Sequence, residues 1–402
     1  MMNDHKDYLT RVEELAPALS QLRGALHRIP EPGNGEFRTA AFVEAELRRL
    51  GLETYRCTET AVVGVLRGAL PGKTAALRAD MDALPLDEDT GCTFASDNEG
   101  WMHACGHDFH MTAALGAARL LSEDRENLPG TVKFFFQPDE EGDGGAARMI
   151  SAGCMDDPHV DTVFGAHVSP ELPAGTVGVR YGKFYAASNI FDITLHGKSA
   201  HGAEPENGID ALDAATRLLP ALKKVREEME QNHGRVIIST GALRAGNARN
   251  VIAERAELHG IIRTLGIDAR RETVAAVRAA ARSVAAETGT RAEIDIRGSH
   301  PGIVNHDGMS RLAEDTALAL FGADRVVRIE KPTMTSEDFG CFIENTPGCF
   351  YHIGVGGDYP LHSTRFLPDT RLLPPASALH AAVIRRFLEG EYKNGDIPEQ
   401  RG

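Results

Sequence analysis

The segment Trp101–His110 (WMHACGHDFH) is the richest source of potential metal ligands in the chain. Cys105 and His107 are separated by one glycine, a spacing that lets an irregular loop direct both side chains at one point. A position at a helix start would also favour the thiolate form of Cys105. The spacing does not match the paired ligands of zinc fingers. Taken alone, the segment fits a metal site and a buried cysteine beside surface histidines equally well.

A second candidate segment, Phe136–Gly142 (FQPDEEG), carries adjacent carboxylates just after the strongest predicted strand. Glu140 and Glu141 should point in different directions there, so that one can bind a metal while the other faces a water molecule on that metal. Metal-assisted hydrolysis needs this division between a Lewis-acidic cation and a general base. The alternative interpretation is a solvated acidic loop.

Isolated histidines and aspartates follow three other hydrophobic stretches. His167 closes one of them, His362 lies in a YPLHS segment, and Asp80 and Asp82 leave a predicted strand before Pro85. A lone histidine of this kind is more often a hydrogen-bonded structural residue, and an aspartate here often forms a turn. Asp80 or Asp82 could instead orient a metal ligand. These residues become candidate site residues only if the fold brings the strand ends together.

A third polar group lies further along the chain. His201 is in Gly197–Gly202 (GKSAHG), Asn250 is in Gly246–Ile252 (GNARNVI), and Arg263 is in a later predicted strand. A histidine, an amide and an arginine could hold an oxyanion and a substrate carboxylate. Without context, these are ordinary polar loops.

Strands and helices must alternate to position the first groups. The hydrophobic pattern predicts strands over 61–66, 74–78, 131–137, 162–167 and 348–355, and helices over 9–27, 39–50, 108–121, 307–320 and 377–388. Such alternation predicts an α/β domain with a largely parallel sheet. In these sheets, sites gather just beyond the strand ends.

The pattern changes in the middle of the chain. Strands are predicted over 190–195, 235–243, 254–264 and 291–296, and helices over 208–229 and 267–288. The resulting order, β-α-β-β-α-β, is that of a ferredoxin-like unit. The simplest architecture is a discontinuous catalytic domain, residues 1–183 and 299–402, interrupted by an inserted domain, residues 184–298.

Composition and charge exclude several classes of protein. The 402 residues are 42% hydrophobic and 25% charged, which is ordinary for a globular protein and excludes a fibrous or disordered one. The formal net charge of −15 argues against general nucleic-acid binding. No hydrophobic run reaches the ~18–20 residues of a membrane span. The charged N-terminus, which predicts no signal peptide, and six scattered cysteines without a CxxC pair predict a cytoplasmic protein.

Six motifs together resemble the amidohydrolase family of hippurate hydrolases, N-acyl-amino-acid hydrolases and auxin-conjugate hydrolases, distant relatives of carboxypeptidase G and the aminoacylases. In chain order the motifs are 77–85 (LRADMDALP), 103–108 (HACGHD), 137–142 (QPDEEG), 197–201 (GKSAH), 250–252 (NVI) and 335–339 (TSEDF). One such match would be weak, whereas six in the family order, spanning nearly the whole chain, are specific.

The resemblance implies a zinc-peptidase-like α/β catalytic domain with a central mixed, mostly parallel sheet. The inserted ferredoxin-like α+β domain would be a lid and dimerisation domain. The implied cofactors are two divalent metal ions, and Zn, Mn, Co and Ni all suit mixed sulfur, nitrogen and oxygen ligands. Glu140 would be the general base, Asp82 would orient a ligand, and Cys105 would bridge the metals as a thiolate. The implied metal ligands are Cys105, His107, Glu141, His167 and His362.

The resemblance also assigns roles to the third group. His201 would reach a substrate oxyanion, commonly in the active site of a partner subunit, and Asn250 and Arg263 would help hold the substrate carboxylate or carbonyl. A homodimer through the inserted domain, or a higher oligomer, is therefore expected. Two positions differ from the family pattern: Ile29 stands where relatives often carry His, and Asp139 stands where they often have Ala. Asp139 adds a negative charge beside the general base, which would tune its pKa.

Three functional hypotheses follow. The first is a metal-dependent amidohydrolase that cleaves N-acyl amino acids (acetyl-, benzoyl- or arylacyl-) to a carboxylic acid and a free amino acid, using metal-activated water and Glu140. The second is a dipeptidase or carboxypeptidase of the same fold. The third is a catalytically silent relative that binds a small acidic ligand. A silent relative should have lost a ligand or the base, and this sequence retains all of them.

Overall fold

The computed structural model describes residues 4–142 and 144–392. The helices are α1 (Asp4–His27), α2 (Phe37–Arg49), α3 (His107–Glu123), α4 (Gly145–Ser151), α5 (Ala211–His233), α6 (Ile267–Thr288), α7 (Asp307–Phe321), α8 (Gly340–Ile343) and α9 (Leu373–Leu388). The strands are β1 (Glu53–Arg56), β2 (Val62–Arg67), β3 (Leu70–Asp80), β4 (Pro129–Gln137), β5 (Thr162–Ser169), β6 (Val177–Val179), β7 (Gly182–Tyr185), β8 (Ala187–His196), β9 (Ile237–Ala245), β10 (Arg255–Thr264), β11 (Arg291–His300), β12 (Ile303–Asn305), β13 (Val326–Arg328) and β14 (Gly348–Gly354).

The chain divides into two compact units. Among the described residues, unit 1 comprises 4–142, 144–182, 304–331 and 338–392, and unit 2 comprises 183–303 and 332–337. The predicted domain ranges, 1–183 with 299–402 and 184–298, stay a prediction. Residues 1–3, 143 and 393–402 of those ranges lie outside the described part. No helix of the described part is long and hydrophobic enough to cross a membrane.

Unit 1 is built on a mixed sheet. Within the described residues it has eight strands in the order β1-β2-β4-β3-β5-β14-β6-β13. The central strands β4, β3, β5 and β14 run parallel, whereas β1, β2 and β4 pair antiparallel, as do β14 and β6. The predicted α/β fold with a mostly parallel central sheet is confirmed. Its parallel strands bring their carboxyl ends to one edge, where sites are expected.

The helix α3 lies in the core of unit 1 and begins beside the carboxyl ends of the parallel strands. It is buried continuously from His107 to Ala118, because it packs against α1, α9 and β3. A helix that is hydrophobic nearly all round belongs in a domain core. The strand β5 is likewise buried at every residue. The first turn of α3 is therefore fixed beside the strand ends.

Unit 2 has the ferredoxin-like topology that the sequence predicts. Its strands follow the order β11-β8-β10-β9, with every pairing antiparallel. The helices α5 and α6 pack on each other and on this sheet. Along β8 the buried side chains of Phe191, Ile193 and Leu195 alternate with more exposed ones, since one face of the strand supplies the core.

The structure differs from the predicted elements at short strands and at several helix starts. The helix α1 begins at Asp4 rather than at Leu9. The strands β1, β6 and β13 are only three or four residues long, too short to show a hydrophobic period. The helix α9 begins at Leu373 rather than at Ser377. Pro374 and Pro375 do not prevent this, because the first turn of a helix needs no backbone N–H donor.

Candidate metal centre

The parallel edge of unit 1 gathers the side chains proposed to bind metal. Glu140 and Glu141 follow β4, His167 lies near the end of β5, and Asp82 follows β3. Cys105 precedes the first residue of α3. The fold therefore brings together segments that lie far apart in the sequence.

Gly106 allows Cys105 and His107 to face the same point. Its φ is +85°, a left-handed conformation that favours glycine. A Cβ at this position would lie 2.6 Å from Cγ2 of Val168, closer than two carbon atoms can approach. The alternative of surface histidines is wrong here, because His107 is only 1% exposed and His110 only 5%.

The candidate ligand atoms form one continuous cluster. Sγ of Cys105 lies 3.3 Å from Nε2 of His167, and Nε2 of His362 lies 3.0 Å from Oε1 of Glu141. Three overlapping groups, whose ligand atoms lie within 4.8 Å of one another, connect the whole set. These groups are Cys105–His107–His167, Cys105–Glu141–His362 and His107–Glu140–Glu141.

Hydrogen bonds fix the direction in which the histidine rings face. Nδ1 of His107 lies 2.8 Å from the carbonyl oxygen of Asp82, so this nitrogen donates. Nε2 of His107 is buried and has no hydrogen-bond partner. Nδ1 of His167 likewise donates to the carbonyl of Val168, at 2.7 Å. Both rings therefore turn an unprotonated Nε2 towards the cluster when neutral, as metal ligation requires.

Asp82 supports two candidate ligands at once. Its Oδ2 accepts a hydrogen bond of 2.9 Å from the backbone N–H of Glu141. Its Oδ1 lies 3.3 Å from Nδ1 of His107. The structure thus places Asp82 where a ligand-orienting carboxylate is expected.

His362 reaches the cluster in a strained backbone conformation. Its φ is +64°, which is uncommon for a residue other than glycine and is often found at functional sites. Its backbone N–H donates to the carbonyl of Ala104 at 2.9 Å. That bond holds His362 beside the loop that carries Cys105.

The charges around the candidate ligands favour the binding of a cation. Burial alone would lower the pKa of His107, but the charges of Asp80 and Asp82 raise it to about 10. Burial also raises the pKa of the Cys105 thiol well above its usual range, and the neighbouring glutamates add to this rise. A thiol in such surroundings loses its proton only if a cation compensates the charge. The cluster offers sulfur, oxygen and nitrogen donors, among them an imidazole nitrogen that makes no hydrogen bond. Such a mixed donor set fits a divalent transition metal.

The structure adds residues to the site that the sequence did not single out. Nδ1 of His110 lies 2.7 Å from Oδ1 of Asp80, and Nε2 of His110 accepts from the backbone N–H of Val168 at 3.0 Å. The buried guanidinium of Arg78 pairs with Asp80 at 2.6 Å. The position of His110, three residues after His107 on one helix, was the available signal.

The remaining predicted residues lie in unit 2. The loops of His201 and Asn250 are adjacent, because the N–H of Gly202 donates to the carbonyl of Asn250 at 2.8 Å. The N–H of Ala203 donates to Nδ1 of His201 at 3.0 Å, which leaves Nε2 as the protonated nitrogen of a neutral ring. Arg263 does not join these loops, since it lies within β10, half-buried, with Nη1 unpaired.

Similarity to known proteins shows the family of this chain. The model of Peptidase family M20/M25/M40 matches residues 76–386. The chain belongs to this family. It is 33% identical to an N-acetyl-L-cysteine deacetylase of Bacillus subtilis, over 95% of the chain and 93% of that protein. It is also 34% identical to thermostable carboxypeptidase 1 of Saccharolobus solfataricus, over 94% of the chain and 97% of that protein.

A solved structure supports the same conclusion. A Bacillus subtilis protein described as a dinuclear metal binding peptidase from the M20 family superposes with a TM-score of 0.83 and 32% identity, over 94% of this chain and 99% of that one. The predicted resemblance is thus confirmed. This M20 chain is a metal-dependent amidohydrolase, with divalent metal ions as cofactors.

Proposed function

We propose that this M20 enzyme hydrolyses the amide bond of N-acyl amino acids, releasing a carboxylic acid and a free amino acid. The cluster of Cys105, His107 and Glu141 beside Glu140, with a buried Nε2 on His107 that makes no hydrogen bond, carries this proposal. The relative that deacetylates N-acetyl-L-cysteine supports the substrate class.

Each residue of the cluster has a proposed role. Cys105, as a thiolate, would hold two divalent ions together with His107, Glu141, His167 and His362. When bound, these ions would polarise the amide carbonyl and activate the attacking water. Zn, Mn, Co and Ni all suit this mixed donor set.

Glu140 would be the general base. It is 8% exposed and lies within 4.8 Å of the ligand atoms of His107 and Glu141. From this position its carboxylate would take a proton from the attacking water and deliver it to the nitrogen of the leaving amine. The shielded setting would limit exchange of that proton with bulk water.

The polar residues of unit 2 would complete substrate recognition. Nε2 of His201 carries the proton when Nδ1 accepts from Ala203, so it would donate to the developing oxyanion. Asn250 and Arg263 would help hold the substrate carboxylate or carbonyl. Unit 2 would act as lid and dimerisation domain of a homodimer or a higher oligomer.

The cysteines support a reducing compartment. Within the described residues, all six are free thiols, three of them buried. Free thiols of this kind persist where disulfides are kept reduced. We therefore propose the cytoplasm as the site of action.

The decisive experiment combines a substrate panel with Glu140→Gln. The metal-loaded wild type should hydrolyse acetyl-, benzoyl- or indoleacyl-amino acids. Glu140→Gln should lower kcat by ~10²–10⁴-fold, the usual contribution of a general base, while the bound metal measured by mass spectrometry stays unchanged. The exposed Glu126 provides the matched control, since Glu126→Gln should leave kcat unchanged. Full activity of Glu140→Gln would overturn the mechanism.

A carboxypeptidase or dipeptidase is the second candidate function, because one relative of similar identity is a thermostable carboxypeptidase. The cluster would perform the same chemistry on a peptide bond, and only the substrate pocket would differ. Release of amino acids from free di- and tripeptides, with N-acyl amino acids untouched, would favour this candidate. Tight binding of N-acyl amino acids without turnover of either class would indicate a silent relative.

A further inference from the structure

The turn that carries Glu140 and Glu141 has an unusual residue at its start. Asp139 adopts a φ of +57°, a left-handed conformation that aspartate and asparagine tolerate better than most residues. Its side chain is almost completely buried, with 5% of the residue exposed. Asp139 therefore combines a left-handed backbone conformation with a buried side chain.

The carboxylate of Asp139 ties this turn to two other segments. Its Oδ2 accepts from Nη2 of Arg148, in α4, at 2.6 Å. The same oxygen accepts from Nδ2 of Asn34, in the loop before α2, at 2.8 Å. The negative charge of Asp139 is thus balanced by an arginine within the same region.

The backbone of Asp139 adds two further connections. Its N–H donates to Oε1 of Glu36 at 2.9 Å, and its carbonyl accepts from the N–H of Gly145 at 3.0 Å. The turn is therefore anchored on the side of α2 and on the side of α4.

Two glycines make room for this carboxylate. A Cβ on Gly33 would lie 2.0 Å from Oδ1 of Asp139, and a Cβ on Gly142 would lie 2.2 Å from the same atom. Neither distance is possible between real atoms, so both positions must lack a side chain while Asp139 is seated. The carboxylate of Asp139 therefore packs closely against the backbone of Gly33 and Gly142.

We propose that Asp139 is a positioning residue, whose carboxylate fixes the turn that presents Glu140 and Glu141 to the cluster of candidate metal ligands. The proposal rests on the function proposed above for those two glutamates. It differs from the expectation that Asp139 acts by adding charge beside the base, because Arg148 balances that charge. A carboxylate ligand and a base one residue apart must keep fixed directions, so the turn between β4 and α4 needs such an anchor.

Two substitutions test the hydrogen bonds of the Asp139 carboxylate separately from its left-handed backbone and from its negative charge. Asp139→Gly keeps the left-handed backbone and removes the carboxylate. Asp139→Asn keeps an oxygen that accepts from Arg148 and Asn34, tolerates the same backbone, and removes the charge. The exposed ion pair of Arg119 and Glu123 supplies a matched control, Arg119→Ala.

The readouts are Zn²⁺ affinity, measured by competition with a chromophoric chelator, and kcat and KM on the N-acyl amino acid panel. Asp139→Gly should weaken Zn²⁺ binding and lower kcat by ~10–100-fold, the range for partners that orient metal ligands, with KM nearly unchanged. Asp139→Asn should stay close to wild type, and Arg119→Ala should equal it. The melting temperature of each variant confirms that the fold persists.

Wild-type Zn²⁺ affinity and kcat in Asp139→Gly would overturn the proposal, and so would an Asp139→Asn variant as impaired as Asp139→Gly, since charge would then be the cause. If the wild type hydrolyses nothing on the panel but Zn²⁺ affinity falls in Asp139→Gly and recovers in Asp139→Asn, the positioning role stands and the proposed function fails.

Discussion

Two clusters in unit 1 contain the same residue types but differ in their hydrogen bonding. One joins Cys105 and His107 to Glu141, and the other joins His27, Glu88 and Cys92. In the second, Nε2 of His27 lies 3.2 Å from Glu88 and Nδ1 lies 2.9 Å from Asp108, so both ring nitrogens are paired. In the first, Nε2 of His107 is buried without a hydrogen-bond partner. The nitrogen without a hydrogen bond, which lies 3.8 Å from Oδ2 of Asp80, distinguishes the candidate metal centre, whereas residue composition does not.

The second cluster is explained as a buried ion-pair network. Burial alone would lower the pKa of His27, but Asp108 and Glu88 raise it to about 9, so the ring is a cation at neutral pH. Arg23 also donates to Asp108, at 2.8 Å. Glu88 further accepts from the N–H of Ser96 at 2.7 Å. The network connects α1, the start of α3 and the loop before it, and no metal is needed to satisfy it.

The largest effect is expected when the cysteine of the first cluster, Cys105, is replaced. Replacing Cys92 of the second cluster should have little effect. Cys105→Ser should lose bound metal and lower activity by more than ~100-fold, beyond what loss of an orienting partner alone costs. Cys92→Ser should retain both, because the two ring nitrogens of His27 in its cluster are already paired with carboxylates. Metal per chain is measured by mass spectrometry. A thiol reagent should modify wild-type Cys105 only after chelation, and equal labelling with and without metal would reject the ligand assignment.

A smaller effect is expected when a support of the first cluster is removed. Asp82→Ala deletes the acceptor for the N–H of Glu141 and the carboxylate beside His107. Metal affinity should fall by ~10–100-fold, measured by chelator competition. The exposed Asp97 is the control, and Asp97→Ala should match the wild type. An Asp82→Ala protein with unchanged affinity would show that the backbone alone holds these ligands.

The last expected effect is on stability rather than on metal binding or activity, and it concerns pH and the second cluster. The pKa of His27 is raised to about 9 in the folded state, so its stabilisation is complete below its unfolded pKa of about 6.5 and is lost as pH rises through about 9. The free energy of unfolding of wild type minus that of His27→Gln should therefore fall by up to ~3 kcal/mol between pH 6 and 10. Urea denaturation of the metal-free proteins measures it, with exposed His159→Gln as control. A constant difference would contradict a charged His27.

Sequence patterns predicted the elements that are long and hydrophobic. The core helix α3, the buried strand β5 and the ferredoxin-like order of unit 2 all carry a clear period or a continuous hydrophobic run. The segments around Cys105 and Glu140 were found because ligand-type residues occur there together. The roles of these residues in binding metal and in catalysis stay a prediction.

Contacts between distant segments could not be predicted. Asn34 and Asp139 lie 105 residues apart in the chain, and nothing in either segment indicates the other. The pairing of Asp80 with His110 and Arg78 likewise depends on how β3 meets α3. Local patterns report which face of an element is buried, but they do not report which side chains meet across the core.

The place of β14 in the sheet has a consequence for the growing chain. This strand lies between β5 and β6, yet it comes from residues 348–354. Until the ribosome has delivered it, β5 has an unpaired edge of hydrophobic sequence, which is prone to pairing with other chains. The residue His362 emerges later still, so the complete set of candidate ligands exists only near the end of synthesis. A chain truncated before this point would expose that edge, and we expect it to aggregate.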